Sequence, residues 1–282
     1  MYSNTAFSLL TFNCFGGPSW TTPRRLRTFA RELNLLAPEI VCLQEVQTNL
    51  ALRLLLRVAA DYANCAYLPG LRAPLGSILT LARAPINVPH FIRYENQGPW
   101  FGPTVMDQLT QKGMLISHLE HGGRPVVVIN THLVANYGAN WQPESRAAQL
   151  QQRQLHQLAN VIHNQASEAL VFVAGDFNLP RGSWLYEEFL TLTGLHDPLD
   201  GDERPTYRPL PGVPVRYALP IDFVFVRIPP GLAVQIETDF CFTGKFPYVG
   251  GGQGYLSDHL GIQMTVRWQA PSQADDYSLL AA

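Results

Sequence analysis

The sequence predicts a layered α/β sandwich, built as one domain over residues 1–268 and followed by a polar tail over 269–282. Three observations carry this expectation. Many short apolar runs of strand length are interspersed with a few helical patterns, without the regular strand–helix–strand rhythm of a barrel or doubly wound sheet. No linker-like composition break divides the chain, and no short-period repeat runs along it. An apolar fraction of 46% with 15% charged residues describes a globular protein with a sizeable core and excludes a disordered one.

The elements follow in order. Residues 7–14 (FSLLTFNC) read as a buried strand that turns at Gly16-Gly17. Thr22-Pro23 opens a helix, the threonine as N-cap and the proline at the first helical position. Leu26, Phe29, Ala30, Leu33 and Leu36 give that helix an apolar stripe, and Pro38 ends it. Residues 40–43 form the next strand, with Gln44-Glu45 directly after it, and a second helix covers 49–60. Further strands are expected over 76–81, 114–119 and 125–131, and a long helix over 144–165 with Leu150, Leu155, Leu158, Ala159 and Ile162 on one side. A buried strand over 170–174 ends at Gly175-Asp176, and late strands cover 221–226 and 260–266.

Composition narrows the function. Twenty basic against 22 acidic residues give a net charge of −2, which excludes a strongly basic nucleic-acid coat while leaving room for a local phosphate-binding patch. Arg24, Arg25, Arg27 and Arg31 read as a solvated helix face. Cys14, Cys42, Cys65 and Cys241 show no CxxC spacing, which argues against zinc or a disulfide framework. The first ten residues lack the basic start of a signal peptide, and no apolar run approaches the ~20 residues of a membrane span. The expected location is cytoplasmic.

Several apolar strands end in a polar group that a core would not want. Asn13 closes the first strand, Glu45 follows the second, and His132 follows the run 126–129. Asp176 and Asn178 follow 170–174, Asp222 opens 223–226, and Asp258-His259 precedes the last strand. Taken singly, an Asp or Asn at a strand end is a turn former and a lone histidine a satisfied partial-core residue. Taken together, they are the inventory for metal-assisted attack on a phosphate. Carboxylate and amide oxygens suit a hard cation such as Mg²⁺ or Mn²⁺.

The segments Thr11-Phe12-Asn13, Leu43-Gln44-Glu45, Asn130-Thr131-His132-Leu133, Gly175-Asp176-Phe177-Asn178, Ile221-Asp222-Phe223 and Ser257-Asp258-His259 resemble the motif series of the endonuclease/exonuclease/phosphatase superfamily. They occur in its order and span almost the whole chain. The resemblance implies a four-layered α/β/β/α sandwich of two mixed sheets flanked by helices, and phosphoester hydrolysis at one edge. Carried over residue by residue, Glu45 would be the main metal ligand, supported by Asn13, with Asp258 near or on a metal. His259 would be the general base, oriented by Asp222. His132 and Asn178 would donate hydrogen bonds to phosphoryl oxygens, and Asp176 would position the nucleophile or the leaving-group side.

Within the superfamily the chain is most similar to the neutral sphingomyelinase branch, through residues 107–119 (DQLTQKGMLISHL), Val128 to His132 with the glutamine-rich helix after it, and Thr193-Gly194-Leu195-His196-Asp197. That branch implies Lys112 as the basic residue near the substrate phosphate, with Asp107 as its structural partner. The implied substrate is a choline-type phospholipid headgroup in preference to nucleic acid, which brings peripheral membrane contact without a span. Two features depart from the branch: Pro220 stands where many relatives carry a basic residue, and no aromatic hairpin for lipid entry is evident. Pro99-Trp100-Phe101 is the nearest candidate for one and reads as a packed loop. A nuclease or other small phosphodiesterase or phosphatase is the alternative enzyme. A catalytically dead binding module is the alternative of another class, and the intact set of polar residues argues against it.

Overall fold

Alternation along the strands decides the layers. In the computed structural model, which describes residues 3–98 and 110–270, strand β1 (Ser3–Asn13) sends Leu10 and Phe12 to one side and Phe7 and Leu9 to the other. Strand β2 (Ile40–Gln44) divides in the same way, Val41 and Leu43 against Ile40 and Cys42. Helices α1 (Thr22–Leu36) and α2 (Asn49–Val58) cover the outer side, packing Leu26, Phe29, Leu33, Leu52 and Leu55 on it.

The second half repeats the scheme. Strands β7 (Arg124–His132) and β8 (Leu170–Asp176) point Val127, Ile129, Val171 and Val173 at helices α3 (Arg146–His163) and α4 (Trp184–Thr193). Val126, Val128, Leu170 and Phe172 face inward, against Phe7, Leu9, Ile40 and Cys42 of the other sheet. Two sheets back to back with a helical layer outside each give the four-layered α/β/β/α sandwich. Four α-helices flank the sheets among the described residues.

The remaining strands are β3 (Asn64–Ala66), β4 (Leu79–Ala82), β5 (His90–Arg93), β6 (Gly113–His121), β9 (Asp222–Arg227), β10 (Val234–Cys241) and β13 (Gly261–Ala270); the two-residue strands β11 (Phe246–Pro247) and β12 (Gln253–Gly254) pair with each other. One sheet runs β10-β13-β1-β2-β4-β3 and the other β5-β6-β7-β8-β9. Each sheet is mixed, with its parallel pair, β1/β2 or β7/β8, inside and antiparallel neighbours around it. A parallel pair puts two C-terminal ends side by side, so Asn13 lies opposite Gln44 and His132 opposite Asp176. Antiparallel β9 brings its N-terminal Asp222 opposite Asp176 on the same edge.

Beneath that edge the inward positions turn polar. Gln44 Nε2 donates to Thr11 Oγ1 (3.1 Å) and across the sandwich to Asn130 Oδ1 (2.9 Å). Asn130 Nδ2 in turn donates to the Leu79 carbonyl at 3.1 Å. These buried amides find partners on both sheets and tie the two edges together, whereas a buried amide without a partner costs roughly 1–3 kcal/mol.

Several boundaries differ from the sequence pattern. Thr21, not Thr22, is the N-cap of α1, because the Thr22 hydroxyl turns back to donate to the Gly17 carbonyl at 2.7 Å. Arg25 is not on a solvated face: it is buried, with Nη1 donating to the Cys14 and Leu256 carbonyls and Nη2 to Phe15. The strand expected from residue 76 begins at Leu79, since Leu75–Ser77 forms a short 3-10 turn with positive φ at Gly76 and Ser77. Strand β13 runs from Gly261 to Ala270, past the expected strand end at 266. The pattern does not mark β3, β5, β10 or α4. β3 and β5 are too short to show a period. Edge strand β10 alternates Val234, Ile236, Thr238 and Phe240 with exposed Gln235, Glu237 and Asp239, so it lacks the continuous apolar run of the central strands. Asp107, the Pro99-Trp100-Phe101 loop and the tail from 271 lie outside the described residues. Among the described residues no helix is long and apolar enough to cross a membrane.

One glycine sets the spacing of β7 and β8. A Cβ on Gly175 would stand 1.9 Å from the Thr131 carbonyl oxygen. Gly175→Ala must therefore part the strands that carry His132 and Asp176. We expect it to cost more than ~3 kcal/mol in urea unfolding, and a loss under ~1 kcal/mol would contradict this packing.

Candidate active site

The inward positions that fill the inter-sheet core also deliver the polar residues to its open end. Along β1 they run Phe7, Leu9, Thr11, Asn13; along β7, Val126, Val128, Asn130, His132. Along β8 they run Leu170, Phe172, Ala174, Asp176, and along β9, read backwards, Val226, Val224, Asp222. Glu45 is the exception, since continued alternation would send it toward α1 and α2. A φ of +56° breaks the alternation and leaves Glu45 lining the cleft. Its carbonyl accepts from Gly16 N–H at 2.8 Å, an approach a Cβ on Gly16 would block at 2.6 Å.

The result is a cleft of about 580 Å³ lined by Glu45, Lys112, His132, Asp176, Asn178, Asp258 and His259. Asp222 stands behind His259, with Oδ2 2.8 Å from Nδ1. A carboxylate can only accept, so Nδ1 carries the proton and Nε2 is left to face Asp176 Oδ2, 3.8 Å away. His132 Nε2 lies 3.5 Å from the same Asp176 oxygen, which also accepts from Asn13 Nδ2 at 2.9 Å. Asn13 Oδ1 accepts from Phe15 N–H at 3.1 Å, so its amide tethers Asp176 to the turn after β1. Asn178, at a φ of +54°, has one amide hydrogen on the Leu133 carbonyl (3.0 Å) and its backbone N–H on Asp176 Oδ1 (2.9 Å). The structure thus brings every sequence-predicted site residue to one edge, with Asp222 and Asn13 touching the cleft residues from behind.

Electrostatics assign distinct charge states. Burial alone would lower the His259 pKa, but the charges of Asp222 and Asp176 and the Asp222 hydrogen bond hold it well above the ordinary imidazole value. Burial, with Lys112 and His259 nearby, pushes His132 well below it, so His132 is a neutral ring. Burial and the Asp222 charge raise Asp176. Burial and Asp258 raise Glu45, against the opposing pull of Lys112. Burial is the larger cause for both carboxylates, and the Asp258 and Asp222 charges add to it, so the cleft holds an excess of negative charge.

That excess and the donor set suit a divalent cation. One donor atom each from Glu45, His132 and Asp176 lies within 4.8 Å of the others, as do those from Asp176, Asp222 and His259. Asp258 belongs to neither group, although it lines the same cleft. Carboxylate and imidazole donors without thiolate favour a hard or borderline cation over a soft one.

Other residues at the site carry no sequence signal of their own. Gln47 Nε2 donates to Glu45 Oε2 at 2.9 Å. The Tyr207 ring packs on the His259 ring, centroids 5.1 Å apart, and its neighbour Thr206 accepts the backbone N–H groups of Ile221 and Asp222 at 3.0 Å each. Tyr137, Trp141, Val213 and Tyr217 also line the cleft. Only a tertiary structure brings these loops to the site.

A family model described as the Endonuclease/Exonuclease/phosphatase family matches residues 10–259. Comparison with curated protein sequences gives no significant match. Among solved structures, SmcL superposes with a TM-score of 0.74 at 18% identity, over 92% of this chain and 98% of that one. Sphingomyelinase C from Streptomyces griseocarneus gives 0.69 at 22% identity, over 92% and 99%. TDP2 from D. rerio, complexed with a single-strand DNA product, gives 0.73 at 19% identity, over 93% and 98%. At such identities the likeness establishes a shared fold.

A cation in this cleft would have a thermodynamic signature. With Mg²⁺ or Mn²⁺ at about 100-fold over Kd, the native state should gain ~2.7 kcal/mol. Glu45→Gln should lose most of that gain and, relieved of charge repulsion, stabilise the metal-free protein by about 1 kcal/mol. Thermal melts of both proteins with metal and with chelator check this. Equal metal-induced shifts in both would remove Glu45 from the site.

Proposed function

This chain belongs to the endonuclease/exonuclease/phosphatase family, and from that premise we propose that it is a divalent-metal-dependent phosphodiesterase acting on a phospholipid headgroup. The Asp222–His259 pair at 2.8 Å, aimed into a cleft beside Asp176, carries this reading. Asp222 holds the proton on Nδ1, which leaves Nε2 to take a proton from an attacking water. The imidazolium so formed is stabilised where it stands by the Asp222 and Asp176 charges. Asp176, fixed by Asn13, is placed to orient that water.

The neutral His132 ring and the second amide hydrogen of Asn178 are donors for phosphoryl oxygens as charge builds on them. Lys112, at the same wall, adds a positive charge for the phosphate. Glu45, with Asp176, would hold Mg²⁺ or Mn²⁺, and Asn13 and Asp258 would support that site from its margins. The ion would supply charge neutralisation and polarisation of the phosphoester.

Charge and surface favour lipid over nucleic acid. Among the described residues lining the cleft, Lys112 is the only Lys or Arg, against Glu45, Asp176 and Asp258. A nucleic-acid strand calls for a basic track along its backbone. The wall instead carries apolar side chains: Tyr137, 54% exposed, lines the cleft, and Val215, 82% exposed, stands between the lining residues Pro214 and Tyr217. Exposed apolar side chains around a cleft mouth suit a substrate presented at a membrane surface.

A panel of sphingomyelin micelles, a phosphoinositide, plasmid DNA, RNA and an aryl phosphodiester, each with Mg²⁺ and with chelator, tests the proposal. Metal-dependent cleavage of lipid without cleavage of nucleic acid is expected, and the reverse preference would overturn the substrate assignment. His259→Ala should lower kcat at least ~10³-fold. Because His259 must be deprotonated to act, kcat/KM should rise with pH through its elevated pKa. Asp222→Asn removes the charge that raises this pKa. The acidic limb should therefore move to lower pH while kcat falls ~10²- to 10⁴-fold. An unmoved limb would show that another group is the base.

A further inference from the structure

Ser77 is held in a way that stability alone does not explain. It is 2% exposed, and its hydroxyl oxygen is buried without a hydrogen-bond partner among the described residues. Its main chain is fully committed, the N–H to the Pro74 carbonyl at 2.9 Å and the carbonyl to Val46 N–H at 2.8 Å, so the hydroxyl alone is spare. The backbone is left-handed, with φ at +53°, immediately after Gly76 at +68°. A buried unmatched hydroxyl and a non-glycine residue at positive φ are each unfavourable, and glycine at this position would remove both costs.

The position is also where a substrate would be met. Ser77 lines the cleft together with Glu45 and Lys112, and its carbonyl is bonded to the residue that follows Glu45. The Lys112–Gly113 turn comes to the same place. Built Cβ atoms on Gly76 and on Gly113 would meet the one Phe91 ring at 3.0 and 2.6 Å. Residues 76–77 and 112–113 therefore converge on that ring, which puts Ser77 beside the lysine of the cleft wall. Ser117 in β6 has an unmatched buried hydroxyl too, but it lies within a regular strand and does not line the cleft.

We propose that Ser77 is a substrate-contacting residue whose hydroxyl donates a hydrogen bond to a phosphoryl oxygen beside Lys112. The assignment rests on the phosphoester reading of the cleft and adds to it a donor from the sheet opposite His132 and Asn178. Phosphoryl oxygens would then be held from both sheets of the sandwich, so that the diester spans the inter-sheet cleft.

Ser77→Ala and Ser77→Gly separate this role from a structural one. Both should lower kcat/KM on an aryl phosphodiester about 10-fold and raise the Ki of inorganic phosphate by a similar factor. The Mg²⁺-induced thermal shift should stay at the wild-type value. Metal-free Ser77→Gly should melt about 2–4 °C higher than wild type, because it sheds both the strain and the buried hydroxyl. Wild-type kcat/KM and phosphate Ki in both variants would overturn the proposal, as would a lower melting temperature of the glycine variant. If wild type cleaves no phosphodiester, the phosphoester reading fails by itself. Ser77 is then judged by calorimetric titration of phosphate in Mg²⁺, where equal Kd values for wild type and Ser77→Gly overturn it.

Discussion

Glu45, Asp176 and Asp258 share one cleft, with Asp222 directly behind it, and like charges at such range repel strongly in a poorly solvated space. Burial and that repulsion together drive Glu45 and Asp176 toward neutrality, and the carboxylate charges draw His259 toward its charged form against its burial. Burial beside Lys112 and His259 keeps His132 neutral. Each shift is useful to phosphoester chemistry. A strongly basic imidazole can take a proton, a neutral one can donate a hydrogen bond, and an anionic excess can hold a cation.

Repulsion on this scale would push flexible loops apart, so the backbone around the site is fastened. The fastening is done mainly to carbonyl oxygens. Arg25 Nη1 donates to Leu256 O at 2.7 Å, Arg208 Nη1 to Ser257 O and His259 O at 3.2 Å each, and Arg208 N–H to Asp258 O at 2.6 Å. Four successive carbonyls, through Asp258 and His259, are thus held by two arginines. Thr206, the second residue before Arg208, takes the N–H groups of Ile221 and Asp222 and gives its own carbonyl to Leu260 N–H at 2.7 Å. One segment therefore grips both chain stretches that carry His259 and Asp222. Because the guanidinium groups bind carbonyls, they position the cleft without forming direct ion pairs with its carboxylates.

The same logic explains how much was legible in the sequence. Burying a large apolar side chain is worth roughly 1.5–3 kcal/mol. A strand that gives up an inward position to Asn13, His132, Asp176 or Asp222 therefore forgoes stability, and the lapse shows as a polar residue ending an apolar run. Those positions, and the sandwich built on the strands, could be read directly. Glu45 could be seen as out of place, but not that positive φ turns it back into the cleft. Thr206, Tyr207, Arg208 and Gln47 sit in segments where polar residues are ordinary, so nothing local marks them. Arg25 misled because an arginine on a helix is normally solvated, and only the carbonyls of Cys14, Phe15 and Leu256 reveal why this one is buried.

The strand ends and the connections contribute different surfaces to the cleft. Sphingomyelinase C and TDP2 superpose on this chain about equally well, so the shared sandwich does not discriminate between a lipid and a DNA product. The strand ends present the polar residues of the cleft, and the connections between them supply the rest of its wall. Here the segments around Tyr137–Trp141 and Tyr207–Leu219 contribute aromatic and aliphatic surface, and the only Lys or Arg among the described lining residues is Lys112. A polyanion drawn along such a cleft would meet the charges of Glu45, Asp176 and Asp258 with little basic surface beyond its reacting phosphate. On the proposed reading, a single phosphodiester attached to an apolar body would meet one lysine, the donors of the phosphoryl site and an apolar wall, so repulsion and contact would favour the same class of substrate.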